Sequence, residues 1–223
     1  MADERALIVG VGDGLSASLA RLLHREGMSV ALAARNTDKL AALAEETEAT
    51  VHACDAADRE SVTALFAGLD SAGAAPNLVV YNPSFRVRGP IVELDQEAVE
   101  KTLMISAYGA FLVAQHAARR MLDGDGGTIL FTGASAGVKG YAQSAPFAMG
   151  KFALRGLAQS MARELHPKGV HIGHFVIDGG IGDSDEGQRL HPDAIAESYL
   201  HFHRQDRSSW AWEIELRPWV ETF

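Results

Sequence analysis

Ala6-Leu7-Ile8-Val9-Gly10-Val11-Gly12-Asp13-Gly14-Leu15-Ser16 is the stretch that decides the fold. Its four leading apolar residues suit a short buried strand. Three glycines follow at once, and Leu15, Leu19, Leu22 and Leu23 then recur at helical spacing. Glycine lets backbone come close to a phosphate, and a helix start offers unpaired N–H groups with partial positive charge. Strand, glycine turn and helix in this order fit a pyrophosphate; glycine also serves plain turns, so position carries the inference.

Outward from this turn the chain alternates two kinds of element. Ser29-Val30-Ala31-Leu32-Ala33, Thr50-Val51-His52-Ala53-Cys54, Asn77-Leu78-Val79-Val80-Tyr81, Thr128-Ile129-Leu130-Phe131, residues 170–177 and Trp212-Glu213-Ile214-Glu215-Leu216 read as strands. Helical spacing runs over 37–48, 59–69, 95–121, 146–165 and 192–203. Strands separated by helices pair in parallel, because parallel neighbours need crossover connections. The pattern predicts a Rossmann-like α/β fold, a doubly wound parallel sheet of about seven strands, with residues 1–223 as a single domain. Ligands on such sheets bind beyond the carboxyl ends of the strands, where strand order reverses.

Composition narrows the function. The chain has 223 residues, 47% of them hydrophobic, and a formal net charge of −9. That charge argues against nucleic acid as a partner. The single cysteine, Cys54, allows no internal disulfide, which fits a reducing cytoplasm. No apolar run approaches the roughly 18 residues that span a bilayer, and Asp3 and Glu4 precede an early apolar stretch too short for a signal peptide. The expectation is a cytoplasmic protein away from the membrane. His201 and His203 face different ways on a helix, and the nine histidines show no ligand grouping, so no metal site is expected.

Four motifs now stand in a recognisable order. Residues 10–16 resemble Gly-x-x-x-Gly-x-Gly, with Ser16 in place of the last glycine. Asp55 follows the third strand. Tyr81-Asn82-Pro83-Ser84 resembles Asn-Asn-Ala-Gly. Lys151 lies in Ala148-Met149-Gly150-Lys151-Phe152-Ala153-Leu154, similar to a catalytic helix. Together, over nearly the whole chain, they resemble the short-chain dehydrogenase/reductase family. The resemblance implies an NAD(P)(H)-dependent oxidoreductase acting on a small carbonyl or alcohol. It implies cofactor contacts from Gly10, Gly12, Asp13, Gly14, Leu15, Arg35, Asp55, Asn82, Lys151, Gly179 and Ile181. An acidic residue ending the second strand would bind a ribose 2′-hydroxyl. Ala34 and Arg35 stand there instead. Arginine can fork onto a 2′-phosphate, so NADP(H) is favoured over NAD(H), with Asp13 pulling mildly the other way.

The departures bear on mechanism. Phe147 stands where the family has tyrosine, Ala134 (with Ser135 beside it) where it has serine, and Ser106 where it has asparagine. Phenylalanine has no proton to give a developing alkoxide, and positioned acid–base catalysis is worth roughly 10²–10⁴-fold. Tyr141 in the loop before the catalytic helix, Ser135, and a water held by Ser106 are the candidate replacements beside Lys151. Asp178 is expected to be held by backbone N–H groups, and Tyr108 to belong to the packing. Arg86 and Arg88 follow the fourth strand: they either draw an anionic substrate or are solvated loop charges. Residues 182–191 are short and polar where the family has a longer helical lid, which implies a pocket open or completed by a neighbouring subunit. The resemblance also implies a homodimer or homotetramer, and an alanine stripe on the first long helix is compatible with that. Trp210, Trp212, Trp219 and Phe223 are expected to pack on the sheet or on a partner. Two further readings stay open: a cofactor-binding sensor or assembly partner without turnover, and a non-redox lyase or isomerase on the same scaffold.

Overall fold

The computed structural model describes residues 4–183 and 186–221. Seven strands form one parallel sheet. In chain order the strands are β1 (Arg5–Val9), β2 (Ser29–Ala34), β3 (Thr50–Ala53), β4 (Leu78–Tyr81), β5 (Gly127–Thr132), β6 (Val170–Ile177), β7 (Gly180–Ile181), β8 (Arg189–Leu190) and β9 (Glu213–Leu216). The main sheet runs β3-β2-β1-β4-β5-β6-β9, while β7 and β8 pair separately. Order reverses between β1 and β4. Val9 is in register with Ala33 on one side and Tyr81 on the other, so the segments after Val9 and Tyr81 flank the same crevice.

Alternation along β1 divides the core. Leu7 and Val9 face a cluster shared with α3 (Arg59–Ser71), α5 (Gly109–Asp123) and α6 (Ala145–Leu165). Ala6 and Ile8 face α1 (Leu15–Arg25), α2 (Ala41–Thr47) and α7 (Pro192–His203). Apolar residues on both faces are what a central parallel strand requires. α4 (Gln96–Leu103) starts one residue after Asp95, whose carboxylate accepts the Ala98 N–H at 2.8 Å as an N-cap. It runs into α5 through a π-helical turn, Met104–Tyr108, so the long helix expected over 95–121 is continuous but carries a bulge. The Tyr81 hydroxyl donates to the Ile105 carbonyl inside that bulge.

One expectation needs correction. Ala110, Ala114 and Ala117 are fully buried against the chain's own sheet, so the alanine stripe offers no face to a neighbour. In the 182–191 segment Arg189–Leu190 forms β8 and pairs with β7; Ser184 and Asp185 lie outside the described residues. The tail aromatics divide. Trp210 stacks on His171 at 4.4 Å, and Trp212 packs under Arg155. Trp219 is 86% exposed, and Phe223 lies outside the described residues.

Candidate active site

Gly10 opens the crevice. Its φ is +83° and its N–H donates to the Ala33 carbonyl at 2.9 Å. A Cβ there would lie 2.6 Å from the Pro83 ring, so only glycine fits. Gly12 and Gly14 are the opposite case: a Cβ on either would meet nothing within 4 Å. These two glycines therefore leave room for a guest. A cavity of about 570 Å³ follows the turn, lined by Gly10, Gly12, Arg35, Lys39, Asp55 and Asn82 among others. The Asn82 amide donates to Ser16 Oγ at 2.6 Å, and that hydroxyl donates to the Gly10 carbonyl at 3.3 Å. Ser16 thus occupies the third glycine's place by bonding the turn to the segment after β4. Asp55 Oδ1 accepts the Ala57 N–H at 3.0 Å, which orients the loop after β3. Asp13 and Gly14 are exposed beside the lining, and Leu15 is buried in the core.

A second cavity of about 510 Å³ adjoins the first, sharing Asn82 and Ser84. Ser135, Tyr141, Phe147, Lys151, Gly179 and Ile181 all line it. Lys151 is 3% exposed and donates to the Thr132 carbonyl at 2.7 Å. Burial pushes its ammonium down to about 8, because a low-dielectric site disfavours the charged form. One helical turn further on, Arg155 forks onto Glu213 at 2.7 and 2.8 Å. Glu213 also meets His174 Nδ1 at 2.9 Å. This chain ties α6 to β9 and β6, and so fixes the helix that carries Lys151. Burial holds His174 down to about 4 despite the carboxylate.

The remaining expected residues sort by geometry. Ser135 is half-buried in the turn after β5, and Tyr141 is 44% exposed at the cavity's edge. Ser106 is not brought to the cavity. It is fully buried under Gly150, where a Cβ would lie 2.8 Å from the serine's own Cβ, and its hydroxyl has no partner. Ser106 thus lies outside the lining of both cavities. Asp178 is held by side chains rather than by backbone N–H groups, with Lys139 Nζ at 3.3 Å and Arg217 at 3.1 Å. Tyr108 packs against the core, and its hydroxyl accepts from Arg59 at 2.9 Å. Sequence reasoning missed Lys39, which lies four residues beyond Arg35 and lines the same cavity. It also missed the Arg155–Glu213–His174 chain, whose members are 39 and 58 residues apart and leave no local signal. His203 bonds Thr128 and Glu4. Among the described residues no three His, Cys, Asp or Glu side chains group as metal ligands, and no helix is long and apolar enough to cross a membrane.

A doubly wound sheet with a glycine crevice and a buried lysine defines a dinucleotide-binding class. The chain belongs to the short-chain dehydrogenase family of oxidoreductases, whose model matches residues 4–190. It is similar to the crystal structure of a short-chain dehydrogenase from Rhodopseudomonas palustris, with 34% identity, 97% of this chain and 99% of that one covered, and a TM-score of 0.87. A metagenomic short-chain oxidoreductase solved in complex with NADP is 26% identical, with 97% and 98% covered and a TM-score of 0.87. The D-threitol dehydrogenase of Mycolicibacterium smegmatis is 27% identical, over 86% of this chain and 82% of that protein.

Proposed function

We propose that residues 1–223 act as one NADP(H)-dependent oxidoreductase on a small carbonyl or alcohol, with Lys151 as the proton donor in place of the missing tyrosine. The observation that carries this reading is the junction of the two cavities at Asn82 and Ser84: a nucleotide laid along the first ends beside Lys151. The residues fit such a group. Gly12 and Gly14 leave the crevice open. Arg35 and Lys39 line its far end, and neither has a carboxylate partner among the described residues. Two unpaired cations suit a 2′-phosphate. The complex of the 26%-identical oxidoreductase with NADP supports the same choice. Bound there, the nicotinamide supplies the hydride.

The chain's own residues then handle the proton. Lys151 Nζ lies at the cavity wall, held by the Thr132 carbonyl. Its pKa of about 8 makes the ammonium a competent acid near neutrality, and the amine left behind can regain a proton. Phe147 beneath it contributes a dry wall. In this reading the protein works in the cytoplasm as a homodimer or homotetramer.

Calorimetric titration with NADPH and NADH, followed by a carbonyl panel read as NADPH loss, tests the proposal. Tighter binding of NADPH and turnover abolished by Lys151→Met support it; no heat and no shift in melting temperature with either coenzyme defeat it. Phe147 and the buried Ser106 favour a second reading, a chain that binds the nucleotide without turnover. Tight NADPH binding with no turnover across the panel, and activity appearing in Phe147→Tyr, would select that one.

A further inference from the structure

The second cavity carries a charge pattern that carbonyl chemistry alone does not require. Arg86 lays its guanidinium over the Phe147 ring, 4.9 Å from the ring centre, and Lys151 Nζ lies 5.7 Å from the same centre. Arg86 and Arg88 both line the cavity. Neither has a carboxylate partner among the described residues. Some other arginines are neutralised by a carboxylate, among them Arg21 by Glu46, Arg120 by Asp70, Arg155 by Glu213 and Arg204 by Glu26. Two carboxylates share the lining. Asp178 is already held by Lys139 and Arg217, and Glu221 is exposed.

Arg86 and Arg88 are exposed at the mouth of the cavity and Lys151 is buried at its wall, and cations gathered around one concavity attract an anion. Partial burial and the neighbouring Arg88 charge push the Arg86 guanidinium below its ordinary range. A guanidinium held over an aromatic face can keep N–H donors free, and a pair of them matches the two oxygens of a carboxylate. Phe147 then has a use of its own, as a rigid platform that aims the fork into the cavity. The volume, about 510 Å³, suits a small ligand.

We infer that the substrate of this site is an oxo acid or its hydroxy-acid counterpart, anchored through its carboxylate by Arg86 on the Phe147 platform, with Arg88 as a second, outer contact. The inference rests on the reading of the two cavities as a nicotinamide-dependent site, and deepens it.

Paired probes test it: pyruvate, acetoacetate and levulinate, each against its methyl ester. Affinity is measured by calorimetry on protein saturated with NADP⁺, and turnover by NADPH loss. At least one acid is expected to bind tenfold or more tightly than its ester. Arg86→Gln should erase that preference while leaving the ester's affinity and the NADPH affinity within about twofold. Arg86→Lys should keep part of it, because charge survives and the fork does not. The inference is overturned if NADPH binds normally and no acid outcompetes its ester, or if the preference survives the double change Arg86→Gln with Arg88→Gln. Failure of NADPH itself to bind would instead remove the underlying reading, and the two failures are told apart by that first titration.

Discussion

Replacing Lys151 with methionine should stabilise the protein against pH in a way that can be worked from the structure. Met keeps the length and apolar stem and removes the charge. In the folded chain burial lowers the lysine from 10.5 to about 8; the unfolded chain keeps the ordinary value. The sign follows from proton counts. Between the two values the unfolded state binds the proton and the folded state does not, so wild-type stability rises with pH across that window and the penalty is fully present below it. At about 1.4 kcal/mol per tenfold, the penalty is about 3 kcal/mol at neutral pH. It falls by about 2.5 kcal/mol between pH 7 and pH 10. The variant has no such slope. It also loses the hydrogen bond to the Thr132 carbonyl, at a cost of about 1–3 kcal/mol, and any change in that bond with protonation is already contained in the lysine's pKa. The assay is urea unfolding of both proteins at pH 7 and pH 10, read as the difference between them. That difference should shift by about 2.5 kcal/mol against the variant on going to pH 10. A difference that stays constant with pH would mean that Lys151 is hydrated in the folded state and carries no burial penalty.

Other outcomes follow from single observations. Gly10→Ala places a Cβ at positive φ and 2.6 Å from Pro83, so urea unfolding should show a loss of about 2–5 kcal/mol, with NADPH affinity falling alongside. Arg35→Ala with Lys39→Ala removes the unpaired cations at the end of the first cavity where the adenosine is proposed to lie. NADPH binding should weaken tenfold or more by calorimetry while NADH binding changes little. His171 and His174 are both held down to about 4 by burial. The unfolded chain protonates them first as pH falls from 6.5, so stability should drop by about 1–2 kcal/mol per histidine between pH 7 and pH 5. His171→Phe, which preserves the stack on Trp210 and Phe202, should remove its share in the same urea titrations.

The sheet was legible because its rules are local. Apolar runs bounded by glycine and polar turns place β1, β4 and β6, and intervening amphipathic helices force parallel pairing. The crevice was legible for the same reason: Gly10 needs its positive φ whatever lies elsewhere. What the sequence hid depends on partners distant in the chain. Arg155 reads as a surface arginine on α6 until β9 brings Glu213 to it. Asp178 reads as a loop aspartate until Lys139 and Arg217 close on it. Ser106 sits at the expected helical position, but it lies inside the bulge at Met104–Tyr108 and against the bare face of Gly150. The period of a helix gives a face, and a π-turn changes which residues share that face.

On the reading proposed above, in which Phe147 stands in a tyrosine's place, the needs of the fold separate from those of the chemistry. The ring is 9% exposed, and packing is served by either aromatic; only the proton is lost. A lysine beside a phenol needs only to be charged, since its role is to draw the phenol's pKa down. A lysine that must itself donate has to be acidic enough to release a proton near neutrality and basic enough to take one back. Burial supplies that acidity at Lys151, and the same burial destabilises the folded state. The two effects are one free energy seen from two sides, because a lowered pKa is the differential stability of the charged and neutral forms. Any substitution that lets water reach Nζ, such as Phe147→Ala, should therefore stabilise the charged lysine, raise its pKa toward 10.5, and move the pH dependence of turnover upward with it. A lysine serving only the ribose would leave that pH profile where it was.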